Sequence, residues 1–375
     1  MRTLEIKATH YQTQKSYRFE ISKSKFSKIE EIKYDKSFPI LSPGFIDIQI
    51  NGYNGVDFND RFDFDQANKV LEELLKIGVH QIYPTIITNQ FSNLKKLGQQ
   101  ICEWVESSTL AKKMVKGIHL EGPYISHEDG AKGAHALEYI KAPHIEEFRA
   151  LQDHLKQFIK IVTLSPEWKE AMPFIEAIHS EVTIAIGHTT ANDKEINTAV
   201  EKGARLSTHL GNGAEAVLPR HPNYIWSQLA NDELYASVIA DGFHLDKSIL
   251  KVMDRVKCEK LILVSDAVTL AGMPSGKYSQ TIGGNVTLSD EGRLFMTESP
   301  QYLAGSAKNL WQCMQYFQEH IEPDIFNVIS KVTTNVYALL KEKDPIIIGN
   351  NADFVLLNPN TFEIEASYLL GKDWC

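Results

Sequence analysis

Residues 182–209 read VTIAIGHTTANDKEINTAVEKGARLSTH, and this stretch contains the repeating unit from which the fold follows. The apolar runs at 182–186 and 205–208 predict buried β-strands. Residues 193–202 have an apolar helical face and stop before Gly203, so they predict a helix between the two strands. A strand, a helix and another strand at this spacing predict neighbouring parallel strands of one sheet.

The same alternation of strands and helices extends through most of the chain. A helix is predicted at 65–77, which starts with an acidic cap candidate and stops before Gly78. Strands are predicted at 44–49, 79–86, 116–120, 158–164, 182–186, 205–208, 236–240 and 261–264. Eight such units predict an α/β protein with a (β/α)₈ TIM barrel. After the eighth strand, residues 276–297 predict a β-hairpin with turns at 283–284 and 290–292, and helices are expected near 306–320 and 324–341.

The two ends of the chain have a different pattern. Residues 1 to about 40 alternate polar and apolar positions, and the last segment again reads as strands and turns. Neither end is apolar enough to form a core alone. We therefore predict a small β-sandwich-like domain from residues 1–42 plus 344–375, and a metal-dependent catalytic barrel from residues 43–343.

Composition narrows the class of function. The 375 residues include 39 Lys plus Arg against 48 Asp plus Glu, a net charge of -9. This acidic balance argues against nucleic acid or an anionic membrane surface as a partner. The four cysteines are far apart, and no signal peptide or apolar run of membrane-spanning length is visible, so we expect a cytoplasmic protein with reduced thiols.

Polar residues follow five of the predicted strands. Glu121, His188, His209, His244 and Asp266 follow the third, fifth, sixth, seventh and eighth strands. Active sites of this barrel form where strands end, so these side chains are expected to meet at one mouth. Two imidazoles and a carboxylate match a catalytic zinc site with three protein ligands and a fourth position for water.

Each of these residues also has a purely structural interpretation. A lone histidine at a strand end more often makes a structural hydrogen bond than a metal bond. Asp266 could cap a helix, and Glu121, which precedes Gly122, could be a turn residue. All of these interpretations would have to hold together for the site to have no function.

Six motifs carry a resemblance to a known family, and they occur in order along the chain. They are LSPGFIDIQINGYNGVDFND (41–60), HLEGPYIS (119–126), IGHTTA (186–191), STHLGN (207–212), VSDA (264–267) and LAGS (303–306). Together they resemble the N-acetylglucosamine-6-phosphate deacetylases of the amidohydrolase superfamily, over nearly the whole barrel and both ends. The resemblance implies hydrolysis of an N-acetyl amide in a small amino-sugar substrate, by a homodimer.

The resemblance also implies roles for individual residues. Glu121, His188 and His209 would hold one divalent metal ion per subunit, with Zn²⁺ the first choice and Fe²⁺ the second. Many amidohydrolases begin with an HxH pair that builds a second metal site, whereas this chain has Gln49 and Asn51 there, which favours one metal. Asp266 would act as the general base and acid, and His135 would donate to the carbonyl oxygen.

Substrate contacts are expected from Asn212, Arg220 and His244. In the family the arginine grips the phosphate across a dimer interface. The surroundings of Arg220 differ from the family pattern, so an unphosphorylated N-acetyl sugar or a related N-acyl compound is an alternative substrate. A catalytically dead barrel used for binding is a remote alternative, because Glu121, His188, His209 and Asp266 are all present.

Overall fold

The computed structural model describes residues 3–280 and 284–375, and the chain opens with four strands. These are β1 (Leu4–His10), β2 (Ser16–Ser22), β3 (Lys25–Glu31) and β4 (Ile40–Ser42). The first three form an antiparallel meander, and β4 lies parallel to β1. Alternating burial along β2 reflects one face packed on apolar residues and one face in solvent.

The next strands build the barrel. They are β5 (Phe45–Ile50), the short pair β6 (Gly52–Tyr53) and β7 (Val56–Asp57), β8 (Val79–Ile87), β9 (Ile118–Glu121), β10 (Ile159–Leu164), β11 (Thr183–Ile186), β12 (Ala204–Ser207), β13 (Tyr235–Ile239) and β14 (Leu261–Val264). Apart from β6 and β7, these eight strands pair in chain order as one parallel sheet. The amide of Asp266 donates to the carbonyl of Gln49 at 2.9 Å and brings the last strand back to the first. The predicted (β/α)₈ barrel and all eight of its strands are therefore confirmed.

Helices cover the outside of the barrel. They are α1 (Phe64–Lys76), α2 (Phe91–Ser107), α3 (Thr109–Met114), α4 (Ile145–His154), α5 (Ala171–Ile178), α6 (Asp193–Lys202), α7 (Tyr224–Ala230), α8 (Lys247–Lys257), α9 (Leu310–His320), α10 (Ile325–Ser330) and α11 (Thr334–Leu340). Helix α6 has the predicted bounds, and a capping box between Asn192 and Glu195 fixes its start. Helix α1 begins one residue earlier than predicted, because Asp63 accepts the backbone N–H of Gln66 and caps it.

Two predictions after the eighth strand need correction in detail. The expected hairpin is a four-stranded antiparallel sheet of β15 (Gly276–Gln280), β16 (Gly284–Leu288), β17 (Leu294–Met296) and β18 (Ser299–Leu303). The predicted turn residue Gly283 lies outside the described residues. The helix expected at 324–341 is two helices, α10 and α11, because the backbone at Thr333 leaves the helical conformation (φ −135°).

The chain ends with three strands that join the first four. They are β19 (Phe354–Leu357), β20 (Ile364–Leu369) and β21 (Lys372–Asp373). Strand β19 lies between β4 and β20, so one seven-stranded sheet contains both ends of the chain. The sheet predicted from the two termini is confirmed, whereas the division at residues 42 and 344 stays a prediction. Among the described residues, no helix combines the length and apolarity needed to cross a bilayer.

Candidate active site

The three predicted metal ligands meet at the end of the barrel where the parallel strands finish. Glu121 is the last residue of β9, while His188 and His209 each follow their strands, β11 and β12, by two residues. All three are buried. The Oε1 atom of Glu121 lies 2.9 Å from Nε2 of His209 and 3.3 Å from Nε2 of His188, and the two imidazole nitrogens are 3.1 Å apart.

His188 and Glu121 are each held by further contacts within the barrel mouth. His188 Nδ1 lies 2.8 Å from the carbonyl oxygen of Ala131, and since a carbonyl only accepts, Nδ1 carries the proton. With Nδ1 bonded to this carbonyl, Nε2 is the His188 atom that faces Glu121 and His209 and is left to bind a metal ion. Burial opposes ionisation of Glu121, but its hydrogen bonds to His188 and His209 hold the pKa of the carboxyl well below its ordinary value.

The arrangement suits a divalent cation. Ligand atoms at about 2.0–2.2 Å from a tetrahedral metal are separated by roughly 3.3 Å, close to the distances found here. The bond from His188 Nδ1 to a backbone carbonyl is the second contact that a metal-binding histidine commonly makes. The residues present therefore fit the metal that the fold implies.

The predicted oxyanion donor, His135, lies beside this cluster in the loop after β9. Its Nδ1 atom is 2.7 Å from Oγ1 of Thr88, and its ring packs edge-on against His188 with centroids 4.5 Å apart. Burial, with a further contribution from His188, lowers the pKa of His135 to about 3, so the ring is neutral.

A different trio, Glu121, His135 and His188, also offers ligand atoms within 4.8 Å of one another. In this set His135 Nε2 is 4.0 Å from the Glu121 carboxylate, whereas His209 is at 2.9 Å. We therefore favour His209 as the third ligand, and His135 stays next to the metal position rather than on it.

The two amides that replace the HxH pair contact catalytic candidates. Gln49 donates its Nε2 hydrogen to Glu121 Oε1 at 3.0 Å, and Asn51 donates to Asp266 Oδ1 at 2.7 Å. Each amide thus orients a carboxylate of the site.

Asp266 lies two residues beyond β14, with a left-handed backbone (φ 46°). Its side chain lines the same cavity as the metal cluster. Burial and the nearby carboxylate of Glu121 raise the pKa of Asp266 to about 6. A carboxylate of this basicity is suited to exchanging a proton near neutral pH.

The cavity in front of these residues has a volume of about 910 Å³ and contains two of the three predicted substrate contacts. Asn212 and His244 line it, and His244 Nδ1 lies 2.7 Å from Asp241 Oδ2. Arg220 is exposed and does not line the cavity within the single chain.

Sequence reasoning missed the residues that hold others in place. Thr88 fixes His135, and Asp241 orients His244 through its side chain while its other oxygen accepts the backbone N–H groups of Phe243 and His244. Asp241 follows its strand by two residues, as Asp266 does, so the rule that identified Asp266 could have found Asp241 too.

A parallel barrel whose strand ends bring together a carboxylate, two imidazoles and a second carboxylate defines the metal-dependent hydrolases of the amidohydrolase superfamily. N-acetylglucosamine-6-phosphate deacetylase of Mus musculus is 31% identical over 353 residues, which are 89% of this chain and 83% of the mouse protein. The Bacillus subtilis enzyme of the same name is 30% identical over 331 residues, 85% of this chain and 81% of the relative. The chain belongs to the N-acetylglucosamine-6-phosphate deacetylase family.

A solved structure agrees with this assignment. The crystal structure of N-acetylglucosamine-6-phosphate deacetylase from Pasteurella multocida superimposes with a TM-score of 0.84 at 25% identity, and covers 98% of this chain and 97% of that one. No protein-family model matches the chain.

Proposed function

We propose that this protein hydrolyses the N-acetyl amide of N-acetylglucosamine 6-phosphate to glucosamine 6-phosphate and acetate. The observation that carries the proposal is the convergence of Glu121, His188 and His209 within 3.3 Å of one another, in a cavity that Asp266 also lines. Family membership supplies the substrate class.

Each residue near the scissile amide has a distinct task. Glu121, His188 and His209 would hold one divalent cation, Zn²⁺ first and Fe²⁺ second. When bound, the cation supplies Lewis acidity, which polarises the acetyl carbonyl and lowers the pKa of water. The Asp266 carboxylate takes a proton from the attacking water and then delivers it to the departing amine nitrogen.

Neutral His135 completes the reaction site as a hydrogen-bond donor. A hydroxyl can both donate and accept, so Thr88 is able to accept the Nδ1 proton or to donate to Nδ1. The second arrangement places the His135 proton on Nε2, the atom that faces Glu121 and the metal position. A donor aimed at the developing oxyanion is worth about 3–4 kcal/mol in the transition state.

The other end of the substrate would be bound by Asn212 and His244, with Arg220 supplied by the second subunit of a homodimer. The exposed position of Arg220 is compatible with that role, because a side chain outside its own cavity is free to reach a neighbouring one. Arg220 has no place in the cavity of its own chain, so an unphosphorylated N-acetyl sugar is the alternative substrate.

The test is a comparison of turnover of N-acetylglucosamine with and without the 6-phosphate, on protein of defined metal content. We expect a kcat/KM for the phosphorylated sugar at least about tenfold above that for the free sugar. Arg220→Ala should remove most of this preference by raising KM for the phosphorylated sugar alone, and Arg255→Ala, on the surface helix α8, is the matched control. Equal turnover of both sugars would favour the alternative substrate, and turnover of neither would refute the proposal.

A further inference from the structure

A buried carboxylate lies behind the proposed base and plays no part in the reaction described so far. Asp47 is on the first barrel strand, β5, and is only 1% exposed. It faces Ser265, the residue before Asp266, across the seam where the first and eighth strands of the barrel meet.

Asp47 is held by three donors from this seam. Ser265 donates its hydroxyl to Asp47 Oδ2 at 2.5 Å, and the backbone N–H groups of Ser265 and Gln49 point at Oδ1 at 3.2 and 3.4 Å. The Ser265 oxygen in turn accepts the backbone N–H of Ala267 at 3.1 Å. Ser265 is therefore tied to Asp47 directly, and Ala267 is tied to it through the Ser265 hydroxyl.

This tie matters because the backbone of Asp266 is strained. Asp266 has a φ of 46°, in the left-handed region that side chains with a Cβ seldom adopt. Its own N–H donates to the Gln49 carbonyl, and its side chain accepts from Asn51. Residues of β5 and the segment after it thus fix both the backbone and the carboxylate of Asp266.

We propose that Asp47 and Ser265 are positioning residues, which act through Asp266 by holding its strained backbone in the geometry that proton transfer requires. This inference rests on the proposed function, in which Asp266 moves the proton. Neither residue lines the cavity, so neither touches the substrate.

The test is a double-mutant cycle on metal-loaded enzyme with the 6-phosphorylated sugar. Asp47→Asn replaces one acceptor oxygen by an N–H group, which cannot accept a hydrogen bond from the donors of Ser265 and Gln49. Ser265→Ala removes the hydroxyl that donates to Asp47. Because a small misplacement of a catalytic group is costly, each should lower kcat by about tenfold or more and leave KM within about threefold. In an Asp266→Asn background, where there is no carboxylate left to position, neither change should lower the residual kcat further.

Tyr11→Phe is the matched control, because it removes a buried hydroxyl bonded to Asp344 away from the cavity. It should lower the melting temperature without changing kcat. An equal loss of kcat from Asp47→Asn and Ser265→Ala in both backgrounds, or no loss in either, would overturn the inference. Full activity of Asp266→Asn itself would instead refute the role of Asp266 in the proposed function.

Discussion

Three of the residues proposed for the reaction have left-handed backbones although none is glycine. The φ angles are 49° at His188, 28° at His209 and 46° at Asp266, each two residues past the end of a barrel strand. Such conformations cost of order 1–3 kcal/mol each and persist only where surrounding contacts enforce them. At these positions the turn aims the side chain into the barrel mouth, which is why the strain coincides with the site.

The role of Asp266 can be tested directly. Asp266→Asn keeps the shape of the side chain and its bond to Asn51 but removes the base, so kcat should fall by about 10²- to 10⁴-fold. The metal content, measured by atomic emission spectroscopy, should stay the same because Asp266 is not among the proposed ligands. Asp60→Asn, at the rim of the same cavity, serves as the control and should retain kcat.

At this scale the sequence predicted which residues approach one another but not how they are oriented. Polar residues at the carboxyl ends of the parallel strands of one barrel share one mouth, so Glu121, His188, His209 and Asp266 could be grouped from spacing alone. The contact of His135 with Thr88 depends on loop conformation, which has no periodicity to read. The contact of Asp241 with His244 was likewise visible only in three dimensions.

At the scale of elements, two loops enclose the ring of His188. The loop after β9 contains Gly133 and the loop after β12 contains Gly213, both with φ 55°. A Cβ atom at Gly213 would lie 2.5 Å from Nδ1 of His188, and one at Gly133 would lie 3.3 Å from the same ring. These glycines let two backbones approach the imidazole and fix its plane.

Gly213→Ala should therefore impair metal binding. The added methyl would push the His188 ring away from Glu121, so we expect a stoichiometry clearly below one metal per chain and a matching loss of kcat. Gly349→Ala is the control, because Gly349 also has a positive φ (94°) but nothing lies within 4 Å of the added Cβ. Both variants carry a backbone cost of about 1–2 kcal/mol, and full metal occupancy in Gly213→Ala would contradict the prediction.

Regular elements could be predicted well because periodicity and caps are local. The capping box of Asn192 and Glu195 and the stop at Gly203 fix α6 within a few residues of sequence. The break between α10 and α11 could not be predicted, because residues 331–333 have no proline or glycine to mark it. There Val332 and Thr333 are buried, so packing against the barrel overrides local preference.

At the scale of the whole molecule, His80 connects the barrel to the terminal sheet. It lies on β8, is buried, and its Nε2 atom is 2.9 Å from Oγ of Ser367 on β20. Burial lowers the pKa of His80 to about 4 from an ordinary 6.5. The junction therefore depends on a neutral imidazole.

This predicts a pH-dependent stability. Well above pH 6.5 His80 is neutral in the folded and unfolded chains, so it does not make the free energy of unfolding depend on pH. Between pH 6.5 and about 4 only the unfolded chain binds the proton, so the free energy of unfolding falls as the pH falls, by up to about 3 kcal/mol in total. Urea titrations of the wild type and His80→Gln between pH 4 and 8 would measure the difference.

The free energy of unfolding should depend less on pH in His80→Gln, even if that variant is less stable at every pH. His154→Gln, on the surface of α4, is the control and should leave this pH dependence unchanged. Parallel curves for the wild type and His80→Gln would show that the junction does not respond to acid.

The seven-stranded terminal sheet has a consequence for how the protein is made. Leu41 pairs with Leu356, so β4 gains its neighbour β19 only after all the barrel strands have been synthesised. During synthesis on the ribosome, the edge of β4 that later pairs with β19 therefore stays unpaired until the barrel residues have been added. Contacts between residues so distant in sequence also form slowly. A protease or chaperone that recognises exposed strands would therefore bind β1 to β4 first.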